Sequence, residues 1–147
     1  MKIYTDGSYL VEEGSPRVGW GFLILDDTDN IIHQDCGQTT TYFIHSRNIT
    51  GEIIAVMKAL LYCEEHEIYD VTIYHDYIGL KHWVTKKENG SYEWQAKNEL
   101  TLGYRSFVEG SPVNVTFVHV KGHSGDKWNE MADKLAKGQD FIKDGLL

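Results

Sequence analysis

The stretch EIIAVMKALLYCEEHEIYDVTIYHD, residues 52–76, contains the change of period that decides the fold. Ile53, Met57, Leu60 and Leu61 recur at helical spacing, with polar residues gathering toward the end of the run, so the first part reads as an amphipathic helix. VTIYHD then alternates apolar and polar residues as a half-buried strand does. A strand that returns through a helix to the sheet of an earlier strand lies parallel to it, with a right-handed crossover. The earlier strand is KIYTD, residues 2–6, which alternates in the same way and ends in Asp6 followed by Gly7.

Between these two strands, GWGFLIL (residues 19–25) is a longer apolar run. It ends in DDTDN, a turn-rich acidic cluster, and IIHQDCGQT follows as a third strand. Strands one to three read as an antiparallel meander. Beyond Gly79, residues 80–97 mix short helical character with a loop at ENGS, and residues 93–110 read as a helix ending near Gly110. Pro112 opens a fifth strand, PVNVTFVHV. Asp126 is placed to cap the helix KWNEMADKLAKG, which Gly138 would terminate. The expected architecture is an α/β domain built on a five-stranded mixed sheet, three strands antiparallel and two parallel, flanked by helices.

At 147 residues and 41% hydrophobic content the chain is the size of one globular domain. Residues 1–138 are assigned to that domain and 139–147 to a C-terminal tail. The first strand begins at residue 2, and no apolar run approaches the ~18 to 20 residues that span a bilayer. The expectation is a complete, cytoplasmic, monomeric protein without a membrane partner. Cys36 and Cys63 form no C-x-x-C or zinc-ligand pattern and are expected to be buried thiols. The net charge of -8 argues against a polyanionic partner, because nucleic-acid binding relies on Lys and Arg replacing counterions. The objection weakens if carboxylates hold divalent cations.

If strands one and four are parallel neighbours, Asp6 and Asp76 end together at the carboxyl edge of the sheet, where open α/β sheets place their ligands. Each alone has an ordinary reading as a turn residue. Together they would repel unless something positive lay between them. Glu52 opens the main helix, where an acid complements the helix dipole. It also lies at the border of the apolar stripe, beside Ala55 and Ala59, within reach of the end of the sheet. In the last helix Trp128, Met131, Ala132, Leu135 and Ala136 form the apolar stripe, and Asn129 and Asp133 share another face. Acids of this kind, with no matching Cys or His cluster, suit a hard cation such as Mg²⁺ or Mn²⁺. Two such ions ~3.5 to 4 Å apart can activate a water and stabilise the leaving oxygen of a phosphodiester.

TDGS at residues 5–8, Asn48 four residues before Glu52, the strand ending in Asp76, and VKGHSGDKWNEMADKLA at 120–136 together resemble type 1 ribonuclease H. The resemblance covers residues 1 to about 138, and its most specific part is the GHSG loop followed by NE-x-AD. It implies an endonuclease that cuts the RNA strand of an RNA/DNA hybrid with two Mg²⁺ ions, for which Mn²⁺ can substitute, leaving a 5′-phosphate and a 3′-hydroxyl. Asp6, Glu52, Asp76 and Asp133 match the family's four metal-binding carboxylates. His123 matches its mobile histidine, associated with proton transfer or product departure. Asn48 matches a residue that contacts the hybrid in the minor groove, where the 2′-hydroxyl distinguishes RNA from DNA. Gly7 and Ser8 are expected to let backbone approach the RNA strand.

The chain also departs from the family's pattern. Tyr77 and Ile78 follow Asp76 where many relatives have Ser, Ile49 replaces a second polar groove residue, and Glu12 and Glu13 occupy a loop that is usually neutral. Lys81 to Lys97 stands where some relatives carry a strongly basic protrusion; it is shorter, and its four Lys against two Glu leave a balance of +2. Trp83 and Trp94 within it are candidates for stacking on substrate, or alternatively core residues. Two other readings stand beside the ribonuclease: a DNA-processing nuclease on the same fold, and a catalytically silent nucleic-acid-binding module.

Overall fold

The computed structural model describes residues 1–12, 14–40, 47–121 and 125–139; the side chains of residues 10, 12, 15, 40, 47 and 48 also lie outside the description. Its elements run β1 (Lys2–Glu12), β2 (Ser15–Leu25), β3 (Ile31–Thr40), α1 (Arg47–Glu65), β4 (Asp70–His75), α2 (Gly79–His82), α3 (Glu99–Gly110), β5 (Asn114–His119) and α4 (Lys127–Ala136). The sheet order is β3-β2-β1-β4-β5. The β1, β2 and β3 strands pair antiparallel, and β4 pairs parallel with both β1 and β5, as the crossover argument requires.

Alternation along the strands sends apolar side chains to both faces. On one face Ile3, Phe22, Ile24 and Ile73 pack with Ile53, Val56 and Leu60 of α1 and with Tyr104 of α3. On the other, Tyr4, Leu23 and Leu25 pack with Met131, Ala132 and Leu135 of α4. Burying a side chain of this size contributes ~1.5 to 3 kcal/mol, so both layers are strongly held. Two glycine positions set how closely the helices sit. A Cβ on Gly19 would collide with the Ala136 carbonyl of α4, and one on Gly51 of α1 would collide with the Gly19 carbonyl from the opposite face.

Several boundaries differ from the sequence reading, β4 among them since it stops at His75 and leaves Asp76 just beyond it, and three have a visible reason. The β1 strand does not stop at Asp6; pairing with β2 carries it to Glu12, and only its parallel partner β4 is lost, after Tyr4↔Tyr74. The α1 helix begins at Arg47, so Glu52 lies in its second turn and not at its start. Ile49, four residues before Ile53, already continues the apolar stripe and packs against the core. The α3 helix begins at Glu99 and not at Glu93. The backbone N–H groups of Glu93 and Trp94 are engaged by the carbonyls of Thr85 and His82, and Asn98 and Thr101 form a reciprocal cap at the true start.

The remaining punctuation follows the sequence. Asp26 gathers Thr28 and Asn30 in the β2–β3 turn, where its Oδ1 accepts from both backbone N–H groups at 2.9 Å. Asp126 caps α4 by accepting from the N–H groups of Trp128 and Asn129. Gly138, at φ +96°, takes the left-handed conformation that ends this helix. Cys63 is buried as expected, whereas Cys36 is half-buried. Among the described residues, no helix is long and apolar enough to cross a membrane.

Candidate active site

The register of β1 against β4 places two acids side by side. Tyr4 pairs with Tyr74, so Asp6 and Asp76 each lie two residues beyond the last parallel pair, where the two strands begin to separate. The α1 helix crosses this end of the sheet and brings Glu52 to the same point. One carboxylate oxygen from each of Asp6, Glu52 and Asp76 falls within 4.8 Å of the others. Asp133 reaches the same opening from α4: Asp6, Gly7, Ile49, Glu52, Asp76, Tyr77 and Asp133 line a cavity of ≈ 330 Å³. The acids foreseen from three separate segments and the last helix therefore share one site.

These carboxyls are held at a large electrostatic cost. Asp6 and Glu52 are each 4% exposed. Burial pushes the Asp6 carboxyl up to about 7; the charges of Asp76 and Asp133 push the same way, while contact with Glu52 and the Gly7 N–H oppose them. Burial drives Glu52 well above the ordinary carboxylate range, reinforced by Asp6 and Asp76. Glu52 Oε2 is fully buried and has no hydrogen-bond partner among the described residues. Among the described residues the local relief is modest: Gly7 N–H donates to Asp6 Oδ1 at 2.9 Å, and Lys137 Nζ lies 3.0 Å from Asp133 Oδ2. Converging oxygens, mutual repulsion and an orphaned buried oxygen are the features of a site that can hold divalent cations.

The other sequence candidates are placed less uniformly. Gly7 lines the cavity. The Ser8 hydroxyl is buried and donates to the Ala136 carbonyl at 2.6 Å, tying β1 to the end of α4, which leaves only its backbone for any substrate. Trp83 is 8% exposed and packs in the core between Tyr77 and Tyr104. Trp94 is 38% exposed, stacked on His82 with ring centroids 4.9 Å apart. Arg105 pins this segment by donating to the carbonyls of Trp83 and Trp94. Asn48 lies in the first turn of α1, with its side chain outside the described residues, as are His123 and Glu13 entirely.

Sequence reasoning missed the backbone support behind Asp76. His75 Nδ1 lies 2.8 Å from the Tyr77 carbonyl, and His119 Nε2 lies 3.0 Å from the Asp76 carbonyl. No local pattern announces this, because it depends on the β4–β5 register that pairs His75 with His119. Tyr77, read only as the loss of a polar neighbour, proves to be part of the cavity wall.

Comparison with known proteins agrees with this geometry. The family model described as RNase H matches residues 1–140. The ribonuclease H of Ruthia magnifica subsp. Calyptogena magnifica is 36% identical over 145 residues, covering 91% of this chain and 90% of the relative. In fold, RNase H1 from Halobacterium salinarum NRC-1 superposes with a TM-score of 0.70 at 18% identity, covering 97% of each chain. LC11-RNase H1, solved in complex with an RNA/DNA hybrid, superposes with a TM-score of 0.67 at 21% identity and covers 99% of each chain.

Proposed function

The chain belongs to the ribonuclease H family, and from that premise we propose that it hydrolyses the RNA strand of RNA/DNA hybrids, using two Mg²⁺ ions held by Asp6, Glu52, Asp76 and Asp133. The observation that carries this reading is the convergence of Asp6, Glu52 and Asp76 within 4.8 Å, beside a buried Glu52 oxygen that has no hydrogen-bond partner among the described residues. Only a cation satisfies all of these oxygens at once in their ionised form. Oxygen-only donors, with Asp133 bordering the same cavity, fit Mg²⁺, and Mn²⁺ accepts the same donors.

When bound, divalent cations supply positive charge for the scissile phosphate and an acidified water as nucleophile. The protein's part is positional. Gly7 N–H fixes one Asp6 oxygen, leaving the other free to turn inward. Glu52 presents an oxygen from a buried helix turn, so its carboxylate loses little freedom on binding. Ile49 and Tyr77 wall the cavity beside the acids. The exposed Trp94 offers aromatic surface to the hybrid, and the family's pattern gives Asn48 and the Gly7–Ser8 backbone contact with the RNA strand. His123, from the segment between β5 and α4, assists proton transfer or product departure. The products are a 5′-phosphate and a 3′-hydroxyl. The enzyme acts as a cytoplasmic monomer, with residues 1–138 as its catalytic domain.

The deciding experiment incubates the protein with labelled RNA/DNA hybrid, duplex DNA, duplex RNA and single-stranded RNA, in Mg²⁺, in Mn²⁺ or in chelator. Cleavage confined to the RNA of the hybrid and abolished by chelator is expected. Equal cutting of duplex DNA would move the assignment to a DNA-processing nuclease, and no cutting of any substrate to a silent binding module.

A further inference from the structure

The turn that follows β4 is held from beneath by two imidazoles. His75, the last residue of β4, is fully buried, and its Nδ1 lies 2.8 Å from the carbonyl of Tyr77. A carbonyl only accepts, so Nδ1 carries the proton. His119, paired with His75 across the parallel β4–β5 ladder, places Nε2 3.0 Å from the carbonyl of Asp76 and donates to it in the same sense. The rings lie 5.9 Å apart, and Phe117 packs edge-on against His75. The Val120 N–H closes the arrangement with a 2.7 Å bond to the His75 carbonyl. Both consecutive carbonyls of the Asp76–Tyr77 segment are therefore fixed by side chains.

His75 is an expensive way to fill this position. With Nδ1–H donating to Tyr77, Nε2 keeps a lone pair that is buried and has no partner among the described residues. A phenylalanine or leucine would fill the space among apolar neighbours without that penalty. An interior position that tolerates an unsatisfied polar atom points to a task that the packing alone does not supply.

We propose that His75 and His119 form a two-point backbone clamp that fixes the Asp76–Tyr77 turn and so aims the Asp76 carboxylate at the cation site; they are positioning residues and touch neither cation nor substrate. The proposal rests on the metal reading above. Because Asp76 follows β4 and is not itself inside a paired strand, its backbone lacks the ladder bonds that hold Asp6 on β1. The clamp replaces them.

The test uses side chains that keep or remove one nitrogen at a time. The amide nitrogen of Asn overlays Nδ1 of histidine, and that of Gln overlays Nε2. His75→Phe and His119→Ala remove the donors, and His75→Asn and His119→Gln retain them. Mn²⁺ affinity is read by electron paramagnetic resonance of the free ion, and kcat and KM are measured on hybrid. Each donor-removing variant is expected to bind Mn²⁺ roughly five- to tenfold more weakly and to lose kcat with KM unchanged, as suits the loss of one hydrogen bond that orders a ligand. The Asn and Gln variants should recover most of both. Donor-free variants whose Mn²⁺ affinity and kcat stay within about twofold of the unaltered protein would overturn the clamp, as would failure of Asn and Gln to rescue. If His75→Phe does not fold, the exposed His119 pair decides alone. Unaltered protein that binds no Mn²⁺ would instead overturn the metal reading, and the clamp with it.

Discussion

Asp6 and Glu52 bring carboxylate oxygens within 4.8 Å of each other although one lies within strand β1 and the other in the second turn of α1, and both are almost fully buried. Nothing in apolar packing brings two acids together. The pairing is unfavourable without a cation and favourable with one, so the stability of the fold becomes a reporter of the site. Added Mg²⁺ should raise the melting temperature by binding the native state and relieving repulsion. Asp76→Asn removes one charge from the cluster. In chelator it should melt at or above the unaltered protein, while the Mg²⁺-dependent rise shrinks and hybrid cleavage falls at least ~100-fold, about what removal of one electrostatic partner at a reacting centre costs. Full activity in Asp76→Asn would refute the ligand assignment.

The same burial gives stability an unusual pH dependence in chelator. Asp6 holds its proton up to about 7 in the folded state, chiefly through burial. Between about pH 4 and 7 the folded state therefore binds more protons than the unfolded chain, and this contribution to stability is lost as pH rises. His75 acts in the opposite direction: burial lowers it to about 4, so its contribution is lost as pH falls from about 6.5 toward 4. The two oppose each other in mildly acid solution, and near neutrality the acid dominates. Asp6→Asn reads the acid together with Glu52, which Asp6 helps to raise, because His75 is common to both proteins. The melting-temperature gain of Asp6→Asn over the unaltered protein, measured in chelator, should grow from about pH 5 to pH 8. A gain that stays constant with pH would show that Asp6 titrates normally.

What the sequence made legible follows from how local each signal was. The α1 stripe from Ile53 to Leu60, the alternation of VTIYHD and the Asp126 cap are written within a few neighbouring residues, and the first two fix the crossover and with it the proximity of Asp6 to Asp76. The extension of β1 to Glu12 was hidden because it depends on pairing with β2, not on any feature of DGSYLVE itself. The late start of α3 was hidden because the backbone of Glu93 and Trp94 pairs with residues from the preceding segment. The histidines behind Asp76 were hidden for a related reason: their partnership exists only in the β4–β5 register. Asp133 had the weakest local signal of the four acids, and only the tertiary arrangement carries α4 to the cavity.

Close approach of the two helices to the sheet makes a sharp prediction about glycines. Gly19→Ala would press a methyl group into the Ala136 carbonyl, and Gly51→Ala would press one into the Gly19 carbonyl. Neither obstacle is the flexible end of a side chain, so backbone must move, at a cost of about 1 to 3 kcal/mol or more. Both changes also disturb the spacing of α1 or α4 against the sheet, from which Glu52 and Asp133 reach the same cavity. Gly103 is the control: a Cβ there meets nothing within 4 Å in the middle of α3. Gly103→Ala should stabilise by roughly 0.5 to 1 kcal/mol through helix propensity. Chemical denaturation of the three variants checks the order, and a Gly51→Ala protein as stable as Gly103→Ala would contradict the packing described.

The two tryptophans of the segment between α2 and α3 should behave oppositely. Trp83 packs among Tyr77, Trp94 and Tyr104, and Trp83→Ala should cost about 3 to 5 kcal/mol of stability as a core truncation. Trp94 is 38% exposed and stacks on His82, which in turn meets Glu93 at 2.5 Å, so the indole is presented on a braced surface. Trp94→Ala should leave most of the stability and raise KM for hybrid, by about the factor that ~1 to 3 kcal/mol of stacking per base implies. With a local charge balance of only +2 from four Lys and two Glu in residues 81–97, and a net charge of -8, electrostatic grip is limited, so KM should be high and should rise only modestly with added salt. Stacking is far less sensitive to salt than phosphate contact, so the ratio of KM between Trp94→Ala and the unaltered protein should change little across the same titration. A ratio that collapses toward unity at high salt would mean that Trp94 acts by placing the neighbouring lysines and not by contact with the bases.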